Sequence, residues 1–251
     1  MQEPETPEDA SRATLPGVFP ETRWTLVLRA AAEGSGTLSR RAMEDLCRAY
    51  WRPVYAVSRR SGLSHEDAED MTQTFFADLI ATNSMNRVTP EAGRLRWFLQ
   101  ASLRHHLNHH REKICAAKRG GGREPLRLDM TGAEQFYHLI PADHLTPETL
   151  YDRHWMLALM DRALTTLAAE QARRGRGEFF AAIRPALTAE GAALSYAEIG
   201  RLHHLSEAAV KMAVMRLRER LREIMRAEIS ETVASPTDVD DEIRHLFAAF
   251  A

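Results

Sequence analysis

Residues Ser195 to Arg226 read SYAEIGRLHHLSEAAVKMAVMRLRERLREIMR. A short helical segment with Ile199 and Leu202 turned inward runs into a tight turn around Leu205. Ser206 then offers a capping hydroxyl to a longer helix. In that helix Val210, Val214, Leu217, Leu221 and Ile224 recur at spacings of four and three, which buries one face. Lys211, Arg218 and Arg222 fall on a different face, flanked by Arg216 and Arg220. A short helix, a tight turn and a capped longer helix with a basic outer face spell a helix-turn-helix. Such a second helix fits a DNA major groove, its first turns reaching bases and its arginines reaching phosphates. An ordinary helical hairpin with a basic surface is the competing reading.

The rest of the chain agrees with a helical protein. It has 251 residues, which at about 150 residues per domain sets one or two domains. Ala, Leu, Arg and Glu dominate, and no stretch alternates with period two, so the expected fold class is all-α. Helices are expected near 22–33, 38–60, 65–81, 90–114, 147–170, 176–189, 196–204, 207–230 and 236–248, with capping residues at Thr89-Pro90, Thr146-Pro147 and Ser235-Pro236. Residues 1–20 read as disordered. Lys118-Arg119-Gly120-Gly121-Gly122-Arg123 is the clearest breaker, and 116–146 lacks sustained periodicity and reads as a linker. Two small helical domains, 21–115 and 147–230, and an extension over 231–251 follow.

With 44% apolar and 27% charged residues the composition is that of a folded globular chain. No run of about 18 apolar residues is present, so no membrane span is expected. The start, MQEPETPEDA, is too acidic for a secretory signal, and Cys47 and Cys115 are too few for a disulfide framework. A reduced, cytoplasmic protein is expected. There is no phosphate loop, nucleophile elbow or supported carboxylate pair, so neither a catalytic residue nor a cofactor is assigned.

Thirty-three Lys and Arg oppose 35 Asp and Glu, a net charge of −2, but the signs are segregated. Over 65–81, Ala68, Met71, Phe75 and Leu79 make an apolar stripe, while Glu66, Glu69, Asp70, Gln73 and Asp78 take the other faces without a single Lys or Arg. That is either a solvated acidic face or a docking surface for a basic partner. Over 90–114, Leu95, Leu99, Leu103 and Leu107 are the inner stripe, and Arg104, Asn108 and Arg111 line up near Trp97 and Gln100. From Arg94 to Arg127 nine Lys or Arg face two Glu. Cations beside an aromatic ring suit phosphates and unstacked bases, though a solvated basic helix has the same pattern. His105, His106, His109 and His110 include i, i+4 pairs, but no Glu sits between them as in HExxH and no cysteine pair is near, so no metal site is assigned.

Three segments in this order resemble the extracytoplasmic-function (ECF) sigma factors of bacterial RNA polymerase, over about 22–230. His65-Glu66-Asp67-Ala68-Glu69-Asp70-Met71-Thr72-Gln73-Thr74-Phe75-Phe76 is similar to the region-two D-A-E-D-L-x-Q-x-x-F helix. Leu95-Arg96-Trp97-Phe98-Leu99 is similar to F-R-x-W-L, and Ser195-Tyr196-Ala197-Glu198-Ile199 with Ser206-Glu207-Ala208-Ala209-Val210-Lys211 to S-Y-x-E-I-A…S-x-x-T-V-K. The resemblance implies core RNA polymerase, promoter DNA and an anti-sigma factor or other regulator as partners. It implies polymerase binding by Asp67, Asp70, Met71 and Gln73 with Phe75 and Phe76 in support. It implies −10 element contacts by Arg94, Arg96, Trp97, Arg104, His105, Asn108, Arg111, Lys113, Lys118 and Arg119. For the −35 element it implies Ser206, Glu207, Lys211, Met215, Arg216, Arg218 and Arg220. The chain departs from the pattern at Leu95, at Phe98 with Trp97 one place early, at His105 and at Ala209.

The extension carries Val239, Ile243, Leu246, Phe247 and Phe250 on one helical face, with Asp238, Asp240, Asp241 and Glu242 crowding the first turns. It is either a helix packed on the second domain or a regulatory helix whose acidic end opposes a basic patch. The alternative function is a stand-alone helix-turn-helix regulator that binds DNA without polymerase; a metal hydrolase built on the histidines is a third.

Overall fold

The computed structural model describes residues 36–81, 94–116, 128–141, 144–188, 194–233 and 235–250. Among them every regular element is a helix: α1 (Gly36–Arg60), α2 (His65–Ala81), α3 (Leu95–Ala116), α4 (Ala133–His138), α5 (Pro147–Arg173), α6 (Gly177–Thr188), α7 (Tyr196–Leu202), α8 (Glu207–Ser230) and α9 (Asp238–Ala248). The all-α expectation holds. No helix among the described residues is long and apolar enough to cross a membrane. The tail at 1–20, the helix expected at 22–33, the Thr89-Pro90 cap and the Lys118–Arg123 breaker lie outside the described residues.

α5 is the centre of the molecule. Its start follows from local chemistry: the Thr146 hydroxyl accepts from the Thr149 N–H at 3.1 Å, with Pro147 in the first turn. Leu150, Tyr151, Trp155, Leu159, Ala163, Leu164 and Leu167 are all buried, on faces that meet both α1 and α8. The Trp155 indole stacks on Tyr50 of α1 with ring centres 4.2 Å apart. The buried side chains of α1 to α3 and of α5 to α9 join in a single apolar cluster.

Three places differ from the expected outline. The stretch read as linker contains α4, docked on α1: Arg59 forks onto Glu134 at 2.9 and 2.6 Å, Tyr55 donates to the same carboxylate, and Arg52 sits 4.5 Å over the Phe136 ring. These partners are far apart in sequence, beyond the reach of a periodicity argument. Arg94 is not helical, because its backbone pairs with Val233 and the Leu95 N–H donates to the Thr232 carbonyl at 2.9 Å. α9 likewise starts at Asp238 rather than after Ser235; the Ser235 hydroxyl bonds to Thr237 instead of capping the helix.

Candidate nucleic-acid interface

The helix-turn-helix is built by short-range bonds. Ser195 caps α7, accepting from the Glu198 N–H at 3.2 Å, while the Glu198 carboxylate accepts from the Ser195 N–H at 2.8 Å. The Ser195 hydroxyl also donates to that carboxylate at 2.7 Å, and this bond, followed by the one from the Ser195 N–H, holds the Glu198 carboxyl below its usual range. The turn then closes through the Leu205 N–H, which donates to the Gly200 carbonyl at 2.8 Å. His204 takes a left-handed conformation at φ 56°. Gly200 leaves room for this: a Cβ there would lie 2.6 Å from the Leu205 carbonyl oxygen. Ser206 caps α8 by accepting from the Ala209 N–H at 3.2 Å.

α8 buries Val210, Val214, Leu217, Leu221 and Ile224 and leaves the opposite face open. Ser206, Glu207, Lys211, Met215 and Arg216 are exposed there, together with Leu202, Leu205 and Met212. Lys211 pairs with Glu207 one turn back at 2.7 Å. The arginines further along divide differently. Arg218 donates to the Ala186 carbonyl of α6 at 2.6 Å. Arg220 forks onto Glu170 of α5 at 3.0 and 2.7 Å, an ion pair that raises its pKa. Both arginines fasten α8 to its neighbours, so the open face is narrower than the sequence-predicted set.

The acidic helix α2 begins with Ser64, whose hydroxyl accepts from the Asp67 N–H at 3.1 Å and donates to the Asp67 carboxylate at 2.7 Å. Asp67 and Asp70 are exposed and Gln73 is half-buried. Met71, Phe75 and Phe76 are buried, with Phe75 and Phe76 packed edge to face, so these three support the surface from beneath and do not reach a partner.

On α3 the sequence-predicted face is split. Arg104, His105 and Asn108 are exposed, and Arg104 reaches Glu148 of α5 at 2.8 Å. His106 leans on the Phe75 ring, 5.7 Å between centres, and comes within 3.7 Å of Asp78. No group of three or more His, Cys, Asp or Glu is arranged to hold a metal among the described residues. The side chains of Arg111, Lys113, Lys118 and Arg119 lie outside the described residues.

Arg94 and Arg96, expected at the DNA surface, are buried instead. Arg96 Nε donates to Glu242 at 2.6 Å, its Nη2 to the same carboxylate at 3.2 Å, and its Nη1 to Asp152 at 2.5 Å. Arg94 Nη1 donates to Glu242 at 3.1 Å, with Asp238 and Asp241 at 3.9 and 3.8 Å. Burial alone would lower the Arg96 pKa, but Glu242 and Asp152 outweigh it and the guanidinium stays charged. Trp97 caps the cluster: Arg94 lies 4.5 Å over its ring and His245 meets its edge. His245 in turn contacts Asp152 at 3.0 Å.

No family model, no curated protein and no solved structure matches the chain. Gly200, Asp152 and Glu242 are the members that sequence reasoning passed over. The signal for Gly200 is a glycine inside a helix, two residues after the Glu198 that closes the capping box. In the sequence Glu242 is one acid among several in the extension. For Asp152, on an otherwise apolar face, only tertiary structure names the partner.

Proposed function

We propose that this chain is a sigma factor of the ECF type, which binds core RNA polymerase and directs it to promoters. The single observation that carries the reading is the capped helix-turn-helix with Lys211, Met215 and Arg216 on its open face, in one molecule with an acidic α2 and a cation-rich α3. A helix-turn-helix alone needs no acidic docking helix, whereas a polymerase subunit does. In this reading two functional units are combined. Residues 21–115 form region two, where Asp67, Asp70 and Gln73 meet polymerase and α3 meets the −10 element. Residues 147–230 form region four, which reads the −35 element through α8, and the stretch between them is the connector. The protein then works in the cytoplasm, on promoter DNA, without a cofactor of its own.

Mixing the purified chain with core RNA polymerase tests this. Co-elution and promoter-dependent run-off transcription are expected; failure to bind core overturns the reading. The engagement of Arg94 and Arg96 inside the fold favours one second reading, a regulator that uses only the α8 face. That protein would form a stable dimer on palindromic half-sites and would ignore core RNA polymerase.

A further inference from the structure

The carboxylates around Arg94 and Arg96 outnumber the cations they neutralise. Asp152, Asp238, Asp241 and Glu242 surround two guanidiniums, with Asp241 also bonded to Arg244 and Asp152 to His245, and three of the four acids come from α9. Glu242 approaches Arg96 through two donors, the fork geometry by which a guanidinium also grips a phosphate. With that carboxylate 1% exposed, no phosphate shares the site while α9 is seated. Trp97, an aromatic side chain suited to stacking on a base, is 45% exposed, with Arg94 over its face and His245 of α9 at its edge.

α9 is held in a way that permits release. Val239 and Leu246 are its fully buried apolar side chains, with Ile243 partly buried, while Phe247 is more than half exposed. The remaining ties are polar: Arg226 to Asp240, and Arg153 to the Ala249 carbonyl at 2.6 Å just past the helix end. The ion pairs are ones that a polyanion can compete for, because phosphates and carboxylates are gripped by the same guanidinium donors.

We propose that α9 is an autoinhibitory latch: it occupies Arg94 and Arg96 beside Trp97 in the isolated chain and leaves when single-stranded nucleic acid takes its place. The proposal rests on the reading of α3 as a DNA-binding helix. It gives the C-terminal segment a role in keeping the chain from DNA until its polymerase partner or a high local DNA concentration displaces the helix.

The test uses the full chain and a labelled single-stranded DNA of about 20 nucleotides, long enough to span a binding groove, with binding read by fluorescence anisotropy. Glu242→Gln is expected to bind about tenfold tighter than wild type, and the Asp238→Asn, Asp241→Asn double variant about threefold tighter, as a coupling of this kind predicts. Glu178→Gln on α6 removes one negative charge far from the latch and is expected to bind like wild type. If both latch variants are folded by far-UV circular dichroism and gain no more than Glu178→Gln, the proposal is overturned. Should Glu242→Gln fail to fold, hydrogen exchange on the wild-type chain decides. Amides of 238–248 are expected to lose protection when the oligonucleotide is bound, and retained protection at saturation overturns the latch. Core RNA polymerase separates the two readings. A chain that binds DNA once α9 is released but never binds core keeps the latch and loses the sigma assignment. A chain that drives run-off transcription with α9 still protected keeps the assignment and loses the latch.

Discussion

Arg162 of α5 donates from Nη1 to the backbone carbonyl of Ala49 at 2.8 Å, the carbonyl that Pro53 leaves without a helical partner. Proline has no N–H, so the acceptor four residues earlier is released, and α1 bends at Tyr50, where φ is −126° and ψ 17°. Arg162 fills the gap from the side. Its guanidinium lies 4.3 Å over the Tyr50 ring, and its Nε donates to Glu228 of α8 at 3.0 Å. One side chain thus ties the bend of α1 to α5 and α8. Arg162→Met is expected to cost about 2–4 kcal/mol, since it strands both a carbonyl and a half-buried carboxylate. Urea denaturation measures this. Arg162→Lys is expected to recover less than half, because an ammonium cannot address the carbonyl, the ring and Glu228 together.

Gly200 governs the helix-turn-helix. A Cβ there meets the Leu205 carbonyl oxygen at 2.6 Å, and that contact is with backbone, which has no rotamer to escape into. Gly200→Ala gains ~1 kcal/mol of helix propensity but must push the turn aside, and overpacking of this kind costs ~1–3 kcal/mol. The expected outcome is a lower melting temperature together with loss of duplex DNA binding, since the capped start of α8 shifts with the turn. Unchanged DNA affinity in a stable Gly200→Ala protein would contradict the geometry.

Acid should unfold this protein in a graded way, beginning above the carboxylate range. His154 is fully buried between α5 and the Phe136 and Tyr137 rings of α4, and neither ring nitrogen has a partner. Burial lowers its pKa from 6.5 to about 4. Between those values the unfolded chain takes up a proton that the native chain refuses. Stability is therefore full above pH 6.5 and falls as the pH drops toward 4, by roughly 2 kcal/mol at pH 5. Glu134 acts lower on the scale. Hydrogen bonding to Arg59 brings its carboxyl down to about 2, so its contribution is present above about 4.5 and is lost as the pH approaches 2. Denaturant midpoints from pH 8 to pH 2 check this. His154→Phe, which keeps the ring and removes the titration, is expected to flatten the upper part of the curve.

The sequence was most readable where the physics is local. The capping hydroxyls of Ser195, Ser206 and Thr146 sit in the backbone bonds that their spacing predicts, and the Val210, Val214, Leu217 stripe is buried as periodicity requires. Sequence reading went astray where the deciding partner is remote. Arg94 and Arg96 look like any surface cations until Glu242 is placed beside them, almost 150 residues away in the chain. The same holds for α4, whose six residues are too few for a period and whose position is set by Arg59 and Tyr55. On α2 the Met71 and Phe75 stripe is buried as its spacing predicts, with Phe76 beside it, so a direct polymerase contact implied for Met71 does not fit its burial, while Phe75 and Phe76 stand where a supporting role puts them.

That distinction separates two variants of α2. Asp70→Arg changes an exposed position and is expected to alter stability by no more than about 0.5 kcal/mol. Its expected effect is on association: affinity for core RNA polymerase falls at least tenfold by pull-down or light scattering, as charge reversal does at a complementary interface. Phe75→Ala should behave in the opposite way, losing about 3–5 kcal/mol of stability and affecting binding only through unfolding. If Asp70→Arg binds core normally, α2 is a solvated acidic face and the docking role is wrong.

The arginines of α8 allow a parallel separation. Arg216 is exposed on the open face, whereas Arg220 forks onto Glu170 and also reaches Glu223 at 2.7 Å. Arg216→Ala should leave the melting temperature unchanged and weaken duplex DNA binding. If it contacts a phosphate, the slope of log affinity against log salt should fall by about 1. Arg220→Ala should weaken the α5–α8 contact, a change seen in denaturation, with the salt slope of DNA binding preserved. The two slopes together decide which arginines face DNA. Equal slopes for Arg216→Ala and wild type would move the DNA-binding face of α8 away from Arg216, and a reduced slope for Arg220→Ala would mean that Glu170 releases its partner when DNA binds.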